Sequence, residues 1–336
     1  MTAIAHYCNA IDHRYISREL ALYASMRRHC QPFRLWVLCL NDECHAMLSA
    51  LALSDVVLLR IRDLENHDQE LLEAKSTRSE IEYYMTIRAA FMSWLFESRP
   101  EIDVLTHIDG DLFFFQRPRV VFEGFQNYST LIVPHRFTKR NEHGLAAGIY
   151  NCGWITFRRD ADGLACLRWW RQSSIEWCYD RYEQNRWMEQ KYLEQFPKNF
   201  AHVQIAQHPG VNVAPWNLDR YRLSCGSGGE PMVDNMPVIF FHFSGLRRVA
   251  PFVWSTSHRH FGAPMSRDVR RLLYAPYFAD LLAAETIVRG RFQAPLDRFH
   301  WRAERVIRQG VYATAREIAR LAVRGGGIWL VARHVL

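Results

Sequence analysis

The chain has 336 residues and a formal net charge of +7, long enough to bury a sizeable core without disulfide or metal staples. From Arg289 onward there are ten arginines and no lysine, against Asp297, Glu304 and Glu317, so the body is neutral and the charge sits in a tail. That distribution argues against a basic nucleic-acid-binding body, and the absence of any C-x-x-C pair among the eight cysteines removes zinc-finger spacing.

Several cysteines lie in apolar runs such as Leu38-Cys39-Leu40, so free buried thiols in a reducing cytoplasm are expected. Met1–Cys8 lacks the basic and long apolar regions of a signal peptide, and none is expected. No run approaches the ~20 apolar residues of a membrane span.

The elements follow in order. Ala3 to Cys8 reads as a buried strand and Ser17 to His29 as a helix, with Leu20, Tyr23, Ala24 and Arg27 at helical spacing. Phe33 to Leu40 is a strand closed by Asn41-Asp42, Cys44 to Leu53 a helix, and Val56 to Ile61 a strand. This alternation predicts an α/β fold with a mostly parallel sheet. Ser76 to Glu97 predicts a long helix, then strands at Val104–Ile108, Leu112–Phe115, Ser129–Val133 and Gly148–Phe157, the last interrupted at Asn151–Gly153. Helices are expected over Cys166–Tyr182 and Arg186–Glu194, and a last core strand over Val238–Phe243. Beyond Ser257 the alternation stops, and the segment to Leu336 reads as helical or irregular. Within it a basic amphipathic helix is expected over Val306–Arg324, ended by Gly325-Gly326-Gly327.

Asp109-Gly110-Asp111 is the sharpest chemical signal. It follows a strand, where ligands of parallel α/β sheets sit. In an extended chain its carboxylates would point to one side, while Gly110 lets the backbone approach a ligand. Hard divalent cations take such oxygens at ~2.0–2.6 Å. The alternative is a surface turn with two solvated acids, against which stand the apolar runs on both sides.

From about Tyr7 to Gly245 the chain resembles the GT-A fold glycosyltransferases, close to glycosyltransferase family 8 and related bacterial nucleotide-diphospho-sugar transferases. The resemblance rests on Tyr7-Cys8-Asn9-Ala10-Ile11-Asp12 with Tyr15, on Ala21–Met26, on Ser79–Thr86 and on His107–Leu112. Further along, Tyr150–Trp154 resembles the N-x-G segment, Gly210–Leu218 a bacterial N-v-A-p-W-N loop, and His242–Gly245 the late H-x-x-G motif. It implies a Rossmann-like GT-A sheet flanked by helices over residues 1–257, with a nucleotide half near 1–118 and an acceptor half near 119–257. Residues 258–336 are then a helical basic extension.

The resemblance also implies roles. Asp109, Asp111 and His242 would hold Mn²⁺ or Mg²⁺. Asn9, Ala10, Asp12, Tyr15, Arg78, Tyr84, Asp109, Gly110, Gly153, Gly245 and Arg247 would contact the donor, with a UDP-sugar favoured. Glu189, Gln190 and Asn151 would carry the sugar and the reacting carbon. Glu189 stands where relatives have aspartate. Leu246-Arg247-Arg248 stands where they have K-P-W, so an arginine is expected to take the lysine's phosphate role. Asn151 and Gly153 also fit a bulge, and Trp216 either packs on a sugar ring or fills the core.

The expectation is transfer of a sugar from a nucleoside diphosphate donor to a glycan or lipid-linked acceptor of surface polysaccharide, with retention at the anomeric carbon. The basic tail over 306–336 is either a solvated helix face or an anchor to an anionic membrane surface on the inner face of the plasma membrane. Two other classes stay open: a metal-dependent nucleotidyl or phosphoryl transferase, for which no P-loop is present, and a silent binding protein of the same fold.

Overall fold

The computed structural model describes residues 4–250, 253–292 and 328–330. The Val306–Arg324 helix and most of the basic tail lie outside these. The elements run β1 (Ala5–Ile11), α1 (Ile16–His29), β2 (Phe33–Cys39), α2 (Asp42–Leu51), β3 (Val56–Arg60), α3 (Ile61–His67), α4 (Gln69–Lys75), α5 (Glu80–Ser98), β4 (Val104–Ile108) and β5 (Leu112–Phe114). After them come β6 (Thr130–Pro134), β7 (Tyr150–Arg158), α6 (Ala161–Glu176), α7 (Phe196–Asn199) and β8 (Val203–Ile205). The last are β9 (Leu223–Cys225), β10 (Pro231–Val233), β11 (Met236–Pro237), β12 (Phe240–His242), β13 (Arg247–Ala250), β14 (Val253–Ser255), α8 (His258–Phe261), α9 (Ala275–Phe292) and β15 (Ile328–Leu330).

Seven strands form the central sheet in the order β3-β2-β1-β4-β7-β6-β8. Neighbours from β3 through β4 are parallel; β7 is antiparallel to both β4 and β6. Both faces are covered. Val37, Leu35, Met26 and Leu22 join the core on one side, and Leu38, Ile87, Phe91 and Trp170 join the core on the other. The strands are therefore apolar on both faces, as a helix-sandwiched sheet requires.

The helices begin where short polar side chains can cap them. Ser79 and Glu82 form a reciprocal capping box at the start of α5, later than the Ser76 start expected from periodicity. Asn41 caps α2 and Asp160 caps α6. α6 therefore starts at Ala161 rather than Cys166, and it stops at Glu176 because Trp177 turns extended.

Two readings are corrected. Arg186–Glu194 is not a helix: Gln184, Asn185 and Met188 have positive φ, Arg186 bridges Glu183, and only a 3-10 turn at Lys191–Gln195 follows. The segment beyond Ser257 is not without strands, since β15 pairs antiparallel with β14. In the same segment a π-type turn, Val269–Tyr274, leads into α9. Tyr277 of α9 stacks on Phe243 at 3.8 Å and meets Phe113 edge-on at 5.5 Å, so this stretch shares a core with β5 and β12. All eight cysteines are free, and Cys225 alone is exposed. Among the described residues no helix is long and apolar enough to cross a membrane.

Trp154 of β7 joins the sheet to the site strands. It is fully buried, stacks on Phe240 at 5.1 Å, and meets Tyr7 and Phe114 edge-on. Trp154→Ala should cost about 3–5 kcal/mol, read as a fall in the urea unfolding midpoint at unchanged slope.

Candidate active site

The site gathers where β1 and β4 end. Asp109 follows β4, and its backbone N–H donates to Gly153 O at 3.1 Å. Leu112 N donates back to Asp109 O at 3.2 Å. Asp109-Gly110-Asp111 is thus a tight turn between β4 and β5. Its carboxylates converge through the turn and not through the extended pleat expected from sequence. Gly110 is pressed from behind: a Cβ there would lie 3.2 Å from Glu19 Oε2 and 3.3 Å from Ile11.

Pairing brings the third group in. β5 and β12 are antiparallel with His242 opposite Leu112. Phe243 N then donates to Asp111 O at 2.9 Å, and His242 N to Val213 O at 2.8 Å. His242 Nε2 lies 3.0 Å from Asp111 Oδ1 and 3.7 Å from Asp109 Oδ2. One ligand atom from each of the three residues falls within 4.8 Å of the others. Two carboxylates and an imidazole suit a hard divalent cation such as Mn²⁺ or Mg²⁺. Burial works against charge on His242, but Asp111 and Asp109 outweigh it and raise its pKa above the usual value. The same two carboxylates that favour a proton on the imidazole would favour a cation among the three groups.

Trp216 fills the core beside this cluster. Buried, it meets the His242 ring edge-on at 5.1 Å, and its indole N–H donates to His135 O at 3.0 Å. Gly153 is required by close approach: a Cβ there would stand 2.5 Å from Asn151 Oδ1 and 2.8 Å from the His242 ring. The expected interruption of β7 is a register shift between Ile132 and Val133 on the neighbouring strand, opposite Asn151–Ile155.

Sequence reasoning missed Arg88. Its guanidinium reaches Asp109 Oδ1 at 2.8 Å and Glu189 Oε1 at 2.9 Å, so it ties the acid–imidazole cluster to the residues expected at the sugar. Burial opposes the charge on Asp109, yet Arg88, His107 and His242 outweigh it and hold the carboxyl below its usual range. Glu189 is pushed up by burial, with Arg88 opposing. The available signal was a lone arginine in the apolar run Met85–Met92, one turn after Tyr84.

The other expected residues fall into two groups. Gln190 Oε1 accepts from Asn151 Nδ2 at 3.3 Å and from Cys152 N at 3.2 Å, while its amide donates to Ala147 O. Asn151 Nδ2 also lies 3.1 Å from His135 Nε2, and its carbonyl accepts from Gly153 N. These residues and Glu189 line the far side of the site. On the other side, Asp12 is bound by Arg14, which reaches Glu80 at 3.1 Å; Tyr84 donates to Glu80 at 3.0 Å. Arg78 stands apart, 4.0 Å over the Tyr179 ring and bonded to Ile175 O. Ala10 is half-buried, and Tyr15 lies against Gly110. Gly245 adopts φ +70°, and Arg247 is exposed. Asn9 is buried and donates to Glu19 at 2.8 Å.

Fold and site together define the class: this is the fold of the GT-A glycosyltransferases. The galactosyltransferase LgtC, in complex with donor and acceptor sugar analogs, superposes with a TM-score of 0.51 at 14% identity, over 83% of this chain and 95% of that one. The chain belongs to the family of the uncharacterised protein YfnF of Bacillus subtilis (strain 168), with which it is 33% identical over 251 residues, 73% of this chain and 82% of YfnF. YfnD of the same organism is 29% identical over 247 residues, 73% of this chain and 78% of YfnD. No protein-family model matches the chain.

Glu19 is wholly buried behind Gly110, and burial lifts its pKa from 4.5 to about 7, with the Asn9 bond opposing. The folded state then binds the extra proton, so stability falls as pH rises from about 4.5 to 7 and stays lower above that. Glu19→Gln removes the penalty. The variant should gain on the order of 3 kcal/mol relative to wild type at pH 8 compared with pH 4.5, measured by urea unfolding at both values.

Proposed function

We propose that the protein is a metal-dependent glycosyltransferase that moves a sugar from a nucleoside diphosphate sugar to a hydroxyl of a glycan or lipid-linked acceptor. The observation that carries this reading is the convergence of Asp109, Asp111 and His242 at the end of β4 in a GT-A sheet. Those three residues would hold Mn²⁺ or Mg²⁺, which when bound neutralises charge growing on the departing diphosphate.

The chain's own residues do the rest. Asp109 gives Oδ1 to Arg88 and keeps Oδ2 toward His242, so one carboxylate serves both halves of the site. Glu189, held by Arg88, accepts hydroxyls of the donor sugar. The linked amides of Asn151 and Gln190 are pre-set by His135 and the Cys152 backbone beside it. Such pre-set donors lose little on binding, which is what a positioning site needs. Asp12, Tyr15 and Tyr84 receive the nucleoside, for which uracil is the favoured base. LgtC, which shares the fold and is seen in complex with donor and acceptor sugar analogs, supports binding of both kinds of ligand here.

The test is nucleoside diphosphate release from a panel of nucleotide sugars with Mn²⁺, abolished by EDTA and restored by added metal. Asp111→Asn should lower turnover by roughly 100-fold or more, with circular dichroism unchanged because the backbone bond from Phe243 to Asp111 O remains. Wild-type turnover in that variant sinks the reading; release of pyrophosphate in place of nucleoside diphosphate points to nucleotidyl transfer.

A further inference from the structure

The 3-10 segment Lys139–Ala147 is a strap along one flank of the site. Near its start Asn141, 1% exposed, donates from Nδ2 to Trp216 O and to Phe261 O, both at 3.0 Å. Near its end Ala147 O accepts from Gln190 at 3.0 Å and Leu145 O from Lys191 at 2.9 Å. Between them Gly144 lies against Phe137: a Cβ there would stand 2.6 Å from the ring. The Trp216 ring meets His242 at 5.1 Å and Phe261 at 6.1 Å, so one aromatic layer separates the strap from the acid–imidazole cluster. The strap's bonds run to the Gln190 and Trp216 flank, opposite the flank of Asp12 and Tyr84.

Its outer surface is cationic. Lys139, Arg140 and His143 are exposed, as are Arg259 and His260 of α8. The two segments meet through tertiary contacts. Arg140 Nη1 donates to Gly262 O at 2.7 Å, and the His143 and His260 rings are 6.3 Å apart. Gly262, at φ +63°, makes room for this: a Cβ there would stand 2.5 Å from Arg140 Nη1. Among the described residues Lys139, Arg140 and Arg259 have no ion-pair partner, whereas the exposed Arg27, Arg28 and Arg181 each meet a carboxylate. The strap's one acid is Glu142, so three cations against one carboxylate leave the patch at +2 before either imidazole takes a proton. A buried asparagine and a glycine thus hold like charges together, which is unfavourable unless an anion offsets them.

Resting on the reading above, we infer that the acceptor is an anionic glycan whose carboxylate or phosphate groups are held by this patch, on the side of the site away from the nucleoside. Fixed cations suit that partner. One amino group of Arg140 is anchored on Gly262 O, and the rest of the planar fork points in a set direction, as recognition of discrete anionic groups at set spacing requires. A lipid surface needs charge alone and no such fixed geometry.

Fluorescence polarisation with the full chain at low salt tests this, using labelled oligosaccharides in pairs: oligogalacturonate against its methyl ester, and phosphorylated against plain malto-oligosaccharide. At least one anionic member should bind about 10-fold or more tighter than its neutral twin, and the preference should shrink as salt rises. The triple variant Lys139→Gln, Arg140→Gln, Arg259→Gln should lose about 10-fold in affinity for that member. Arg27→Gln, which removes one exposed cation elsewhere, should stay within about twofold. Equal binding of charged and neutral twins, an unchanged triple variant, or an equal loss in Arg27→Gln overturns the inference. So does binding to phosphatidylglycerol vesicles that is lost in the triple variant while no soluble anionic glycan binds, because the patch is then a membrane contact. Release of nucleoside diphosphate from nucleotide sugars with Mn²⁺, measured on the same wild-type preparation, separates the two readings. Release without preference for an anionic glycan overturns this inference alone. No release from any nucleotide sugar removes the glycosyltransferase reading, and this inference with it.

Discussion

The antiparallel pairing of β5 with β12 is the constraint on which the site depends. Asp111 and His242 are 131 positions apart, yet the register that sets His242 opposite Leu112 leaves the imidazole beside the turn. A slip of one residue would send the His242 ring to the other face of the ribbon. The register is secured from both sides, by the aromatic contact of Phe240 with Phe114 at 5.8 Å and by the backbone bond from His242 to Val213. The same bond seats the Asn212–Asn217 loop, and with it Trp216, against the imidazole. The fold thus spends ordinary sheet pairing and aromatic packing on orienting one nitrogen atom.

Arg88 extends that order to the far half of the site. A buried arginine with one acidic partner would be a local ion pair of little net stabilising value. With two partners on different elements it fixes a distance between them. Asp109 is tied by its backbone to Gly153, and Glu189 follows a segment whose positive-φ residues Gln184, Asn185 and Met188 turn it inward. The Glu189 side chain is long enough to end on Arg88. Asn151 and Gln190 then sit on a framework already held at both ends.

Much of this was legible in the sequence where a strand or motif is local. The bounds of β4 follow from an apolar run closed by acids, and the Asp109 and Asp111 pair follows from residue type and spacing, while His242 was reached only through the family resemblance. What was not legible depends on tertiary partners. The carboxylates converge by a turn, which hydrogen bonding to Gly153 and Leu112 decides and local alternation does not. The segment before Glu189 carries helical-looking residues but is bent by positive φ at asparagine, glutamine and methionine, which no periodicity announces. Arg88, Arg18 and Glu19 look like ordinary residues on helix faces until their burial is known. Arg248 shows the converse. Its position in sequence suggested a ligand contact, and Glu285, from a helix added after the strands alternate no more, takes it instead.

The charge inside the site explains why a cation suits it. Asp109, Asp111 and Glu189 bring three carboxylates to one buried region, and Arg88 neutralises one of them. Two negative charges remain, and any anionic ligand approaching them in a water-poor space would be repelled. The same charge raises the pKa of His242. A divalent cation held by Asp109, Asp111 and His242 would offset the rest.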